Sequence, residues 1–379
     1  MRSSAISLVV CAIVIVIIFC SGCVLLNNPF QLRSPAATPS PSPSPTMEPV
    51  AAPALFPSTS VAGTQVSASE TTIDYRHTYQ VLVVNPTKLN TTVSRLFDWV
   101  YREDPYSVQI PVNTDLYLAA KNSPNKQMTF TTGEEGEFYR HMMTDPAMDA
   151  FYTDLVKELR RERYNKGMNL TDDEYLEMLI SFVQQIDYDN TTSGNPRYPA
   201  EVIYDRTGDC DDKAILLNGI LSREGYDVAL LIFPTMKHAT SGIRIHLATN
   251  KPSFRVFSDE KRDYVYIETT RSRLIGLYSD EYETVPEPLV VPVGNGTREY
   301  GKIDYVMTIF ADIKAIERQL AILEERAGPS RTLSRDDYNA AISYVNTFNF
   351  VASTNDREAA MMAIRNSELR HNSVCLSCG

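Results

Sequence analysis

The stretch 205–234, DRTGDCDDKAILLNGILSREGYDVALLIFP, limits the possible folds more than any other part of the chain. Ala214, Ile215, Leu217 and Leu221 recur at helical spacing from about Asp211 to Glu224, and Gly225 is placed to end that helix. Three runs at 227–234, 238–249 and 263–270 then read as strands. A helix that feeds into consecutive strands gives an antiparallel sheet with the helix against it, an α+β order. Upstream, 145–163 reads as a helix with Asp145 as cap and Pro146 in its first turn. Residues 170–188 read as another, capped by Thr171, with Leu176, Leu179, Ile180 and Val183 on one face. YQVLVVN at 79–85 has strand character, and 107–122 reads as extended chain leading into a short helix.

The ends of the chain differ from this body. Arg2 and the apolar run Ala5 to Cys20 have the form of a signal segment. Ser21 and Gly22 before Cys23 resemble a lipobox, with Cys23 as the lipidated residue, although Cys20 stands where Leu is usual. The same run extended to Leu26 is long enough to remain as a membrane anchor, and plain secretion is a third reading. All three place the rest of the chain outside the cytoplasm, and the first two tether it to the membrane. Residues 34–60 repeat Ser-Pro, which removes backbone donors and fixes φ, so this segment is a stalk. The organisation expected is a signal or anchor at 1–26 and a stalk at 27–69. A domain at 70–300, with its core at about 170–280, is followed by a helical region and tail at 301–379. Helices at 307–327 and 334–353 flank Gly328-Pro329; the stripe Ile309, Ile313, Ile316, Leu320 and Leu323 serves packing against the body or self-association.

A formal net charge of -11, with no basic run and no Gly-rich phosphate loop, argues against nucleic acid as a partner. The six cysteines form three groups rather than a disulfide framework. Cys375 and Cys378 have zinc-like spacing but make only half a site. Asp209, Asp211 and Asp212 lack the glycine and distal glutamate of a calcium loop. No metal and no cofactor is expected.

Cys210 stands alone. A lone cysteine ordinarily packs as a small hydrophobe. Here it opens a helix, where unpaired N–H groups favour a thiolate, while its aspartate neighbours oppose ionisation. Such a thiol needs a histidine. Of the five, His238 begins the next strand but one, and His246 follows near Arg244. His77 and His141 lie upstream, and His371 lies in the tail. Glu268, at the end of YVYIETT, is placed to orient the imidazole, with Asp263 at the opposite end of that strand as runner-up.

YPAEVIYDRTGDCDDKAILLNGILSREGYDVALLIFP, then HATSGI, then YVYIETT, resembles the transglutaminase-like superfamily, in particular its archaeal and bacterial extracytoplasmic, lipoprotein-like members. The resemblance runs from about 175 to 276, thins over 74–174 and does not reach the C-terminal helices. It implies a papain-like core, in which a helix bearing the nucleophile packs on an antiparallel sheet bearing histidine and acid. It implies Cys210, His238 and Glu268 as catalytic residues; Glu268 departs from the aspartate of many members. The oxyanion would meet the Cys210 N–H and a polar side chain of the preceding helix, Gln184, with Gln185 and Tyr188 as alternatives. The activity implied is thiol acyl transfer, as a cysteine peptidase or amidase on protein or cell-envelope amide bonds. A cross-linking transglutaminase and a silent module that binds an envelope polymer or protein are the alternatives.

Overall fold

The computed structural model describes residues 79–85, 91–127, 134–167, 169–191, 196–245, 254–259, 261–328 and 333–367. The N-terminal apolar run with Cys23, the Ser-Pro stalk, His77, His246, His371, Cys375 and Cys378 lie outside the described residues. Among the described residues no helix is long and apolar enough to cross a membrane.

Strands β1 (Thr92–Tyr101) and β2 (Asp104–Asn113) form an antiparallel hairpin in which Tyr101 faces Asp104. Its two-residue turn needs positive φ at both central positions. Arg102 and Glu103 supply it at 53° and 64°. Neither is the glycine or asparagine that usually marks such a turn, so the sequence gives no turn signal before β2. Phe97, Trp99 and Tyr101 are buried at alternate positions of β1. Helices α1 (Thr114–Lys121), α2 (Glu135–Thr144), α3 (Asp149–Glu162) and α4 (Asp172–Gln184) follow. Asp145 caps the turn ahead of α3, accepting from the Ala147 N–H at 2.9 Å. Thr171 and Glu174 close a capping box on α4.

Then come β3 (Asp187–Tyr188), α5 (Pro199–Asp205), β4 (Thr207–Gly208) and α6 (Cys210–Arg223). They are followed by β5 (Val228–Phe233), β6 (His238–Arg244), β7 (Phe257–Ser258), β8 (Asp263–Ile267), the single-turn α7 (Glu281–Thr284) and β9 (Leu289–Pro292). The five later strands make one antiparallel sheet in the order β7-β8-β6-β5-β9. All six residues of β5 are buried, as a central strand covered on both faces requires. Helix α6 lies on the face of Leu230, Ile232 and Ala239, where Ala214 packs and Asn218 donates to Ser241 Oγ at 2.9 Å. Phe233, Phe257, Tyr266 and Tyr282 cluster on the other face. The fold is α+β, and the cysteine-bearing helix packs on the antiparallel sheet.

Residues 79–85 are not a strand, contrary to their sequence. Leu82 is the one buried residue of this stretch, and Val81, Val83 and Val84 are exposed, so no face of a strand is buried. Side chains replace the missing partner strand. The Gln80 N–H donates to Asn125 Oδ1 at 3.1 Å, and Asn125 Nδ2 returns a bond to the Gln80 carbonyl at 2.7 Å. The Leu82 N–H donates to Asp145 at 2.9 Å. Tyr79 stacks on His141, whose Nε2 lies 3.0 Å from the Gln80 carbonyl, so His141 serves this clamp.

The C-terminal region forms α8 (Ile303–Ala327), α9 (Arg335–Ser353) and α10 (Arg357–Asn366). Val306, Ile309, Phe310 and Ile313 of α8 join the main core, whereas Ile316 and Leu323 pack with Tyr344 of α9. The stripe thus divides between the body and the neighbouring helix. Glu177 of α4 fastens this region to the rest: its carboxylate accepts from Tyr101 at 2.7 Å, from Tyr300 at 2.6 Å and from Arg357. Burial raises the Glu177 pKa against the pull of Arg357, so the pairing offsets part of a large desolvation cost.

Candidate active site

Local structure places Cys210 at the first turn of α6. Asp209 is the N-cap and accepts from the Asp212 N–H at 3.2 Å, while Asp212 accepts from the Asp209 N–H at 3.2 Å. Asp212 also takes the Arg197 N–H, and burial pushes its carboxyl up to about 7. Gly208 makes this packing possible, because a Cβ there would come within 2.9 Å of the Asp212 Cβ. β4 pairs in parallel with β3 and sets Tyr188 opposite Gly208. This sets Tyr188 beside Cys210, where burial first and the thiol next raise the tyrosine pKa.

The sheet brings the second element. Pro234–Met236 forms a tight turn, and Lys237 at a φ of 49° swings the chain into β6, so that His238 opens that strand opposite Phe233. The N–H of the next residue, Ala239, comes close enough to the Cys210 sulfur to favour its thiolate. The His238 ring packs edge-on against Tyr282 at 5.9 Å. Its Nε2 lies 3.5 Å from the Tyr266 hydroxyl, which donates to Glu268 Oε2 at 3.1 Å. Glu268 therefore reaches His238 through Tyr266. Its Oε1 accepts from the N–H groups of Thr269 at 3.0 Å and Thr270 at 2.9 Å, and from the Thr270 hydroxyl at 2.7 Å. Burial alone would raise the Glu268 pKa; His238, Thr270 and Arg271 outweigh it and hold the carboxylate ionised. Asp263 lies apart at the far end of β8, accepting from Ser258 at 2.6 Å.

Electrostatics set the resting protonation. Burial, then Asp211, push the Cys210 thiol up to about 12, with Asp209 adding to them and the Ala239 N–H opposing. Burial lowers the His238 pKa against Glu268 and Asp211. Thiol and imidazole are both neutral at neutral pH. Burial, with the aspartates, thus outweighs the helix terminus, and the thiol's own hydrogen bond runs to Asp211 Oδ1 at 3.3 Å rather than to His238.

Gln184, expected to donate to the oxyanion, has both amide hydrogens engaged elsewhere. It is buried, and its Nε2 donates to the carbonyls of Glu268 at 3.0 Å and Arg273 at 2.8 Å, which uses both amide hydrogens. Gln185 is turned to the hairpin, donating to the Val100 carbonyl at 2.7 Å and accepting from its N–H at 3.0 Å. Of the three, Tyr188 is the one whose pKa the thiol raises. Two contributors carry no signal of their own in the sequence. Tyr266 follows from alternation, two residues before Glu268. The Ala239 N–H depends on how the helix sits on the sheet.

No protein-family model and no curated protein matches the chain. Among solved structures, calcium-bound LapG of Legionella pneumophila is similar at 16% identity and a TM-score of 0.23, over 41% of this chain and 86% of that one. The EGTA-treated form of the same protein and a further LapG structure match at the same identity and TM-score, over 46% of this chain and 96% of theirs. The relationship is distant.

Proposed function

We propose that this chain is a cysteine-dependent acyl-transfer enzyme that hydrolyses amide bonds of proteins or cell-envelope material outside the cytoplasm, tethered through its N-terminal segment. The observation that carries this reading is the meeting of the Cys210 sulfur with the first residues of β6, beside a histidine backed by Tyr266 and Glu268. With Nε2 turned toward Tyr266, Nδ1 is the nitrogen that takes the thiol proton. The sulfur then bonds to the carbonyl carbon, and the oxyanion meets the Cys210 N–H at the helix terminus and the Tyr188 hydroxyl. Collapse expels the amine, which takes the proton from His238 and leaves a thioester. Water, losing a proton to His238, adds to the thioester, and the thiol recovers that proton as the acid departs. An amine in place of water would cross-link instead. The neutral resting pair favours a second reading, in which the domain binds an envelope polymer or protein without turnover.

The deciding experiment exposes the protein to amide-bearing and thiol-directed probes and weighs the peptide that contains Cys210. Acylation at Cys210 in the wild type and its loss in His238→Ala support the enzyme. Unchanged Cys210 mass with every acyl probe in both proteins leaves the binding module.

A further inference from the structure

We propose that Tyr139 and Asp211 form a latch that holds the Cys210 thiol protonated and aimed away from His238, so that the nucleophile is latent until Asp211 turns aside. This rests on the enzyme reading above and concerns the regulation of the same site.

The latch is a chain of two hydrogen bonds. Asp211 Oδ1 accepts from the Cys210 sulfur at 3.3 Å, and Asp211 Oδ2 accepts from the Tyr139 hydroxyl at 2.8 Å. Tyr139 stands on α2, outside the nucleophile helix and the strands, so a separate element fixes the carboxylate over the thiol. One carboxylate holding both donors has little freedom to rotate. While Asp211 holds the thiol hydrogen, that hydrogen is not directed at His238 Nδ1, and a carboxylate in contact opposes thiolate formation. Once Asp211 swings out, the S–H can turn to Nδ1 and transfer its proton as attack begins. The other titratable groups acting on the sulfur are Asp209 before it and Tyr188 from β3, while His238 from β6 acts on Asp211; none of these has a hydrogen bond to both Asp211 and the thiol.

The test is the rate of iodoacetamide labelling of Cys210 against pH, read on its own peptide by mass spectrometry in the full chain. Asp211→Asn should lower the titration midpoint, and each unit of fall gives about tenfold more thiolate at pH 7. Tyr139→Phe should lower it as well, and the double variant should match Asp211→Asn alone. Asp209→Asn, which keeps a capping side chain, removes a neighbouring charge without touching the latch and should shift the midpoint less. Should Asp211→Asn fail to fold, Asp211→Ser replaces it. An unmoved or raised midpoint in the Asp211 variant overturns the latch. So does an equal shift from Asp209→Asn, which would mean a general field. If His238→Ala still abolishes acylation in either event, the enzyme reading survives.

Discussion

Gln184 donates to the main-chain oxygen of Glu268 at 3.0 Å, joining the end of α4 to the turn that carries the acid. It is a strut, and in the proposed mechanism the oxyanion falls to Tyr188. Gln184→Leu should leave the carbonyls of Glu268 and Arg273 unpaired and lower stability by about 1–3 kcal/mol in urea unfolding. Tyr188→Phe, at a half-exposed position, should hold stability within about 0.5 kcal/mol. It should slow acylation of Cys210 by roughly 10²–10³. Full stability in the first variant, or full rate in the second, removes the corresponding role.

The hydrogen-bonded path from Glu268 to His238 runs through the Tyr266 hydroxyl, so the two are expected to orient the ring as one unit. Tyr266→Phe and Glu268→Gln should each slow acylation, and the double variant should be little slower than either. A double-mutant cycle should return a coupling of about 0.5–3 kcal/mol. Independent, multiplying effects would mean that Glu268 acts on the site by another route.

Lys213 is fully buried, and its Nζ donates to the carbonyls of Gln184 at 3.1 Å and Ile186 at 2.8 Å, at the C-terminal end of α4. Burial lowers its pKa from the ordinary 10.5 to about 8, against the pull of Glu268 and Asp187. Below about 8 both folded and unfolded chains hold the proton, and the fold bears the cost of a buried charge. Between 8 and 10.5 the unfolded chain binds more protons, so this group's contribution to stability rises with pH. Unfolding free energies of the wild type minus those of Lys213→Met should therefore increase across that window. A flat difference contradicts the assignment.

Much of this arrangement was legible beforehand. The helix expected from about Asp211 to Glu224 is Cys210–Arg223, and Gly225, at a φ of 84°, ends it. The strands expected at 227–234 and 263–270 are Val228–Phe233 and Asp263–Ile267. Each has local causes: apolar spacing, a stop residue, β-branched runs. What stayed hidden depends on register. The β1–β2 hairpin turns on Arg102 and Glu103, which carry no turn signature. Helix α5, at Pro199–Asp205, is too short for periodicity to stand out from a turn-rich loop. α10 lies beyond the two C-terminal helices expected, and the ending of α4 at Gln184 and the placing of Tyr188 beside Cys210 by β3 had no local signal.

The buried ion pair of Glu177 and Arg357 gives another expected outcome. Arg357→Leu leaves an unpaired charge and two tyrosine hydroxyls on it, and should cost about 3–5 kcal/mol. Adding Glu177→Leu should recover part of that loss in the same denaturation experiment. No recovery would mean that Arg357 stabilises the fold through its packing rather than through the pair.

That junction also sets an order of events in biosynthesis. Glu177 meets partners 76, 123 and 180 residues away along the chain. A ribosome releases the chain from its N-terminal end, so the hairpin, α4 and the cysteine helix emerge well before Arg357. Until Arg357 arrives, Glu177 has its tyrosines to accept from but no countercharge, and burying it carries the full desolvation cost. Glu177 therefore gains its countercharge only once α10 has formed, 180 residues further along the chain.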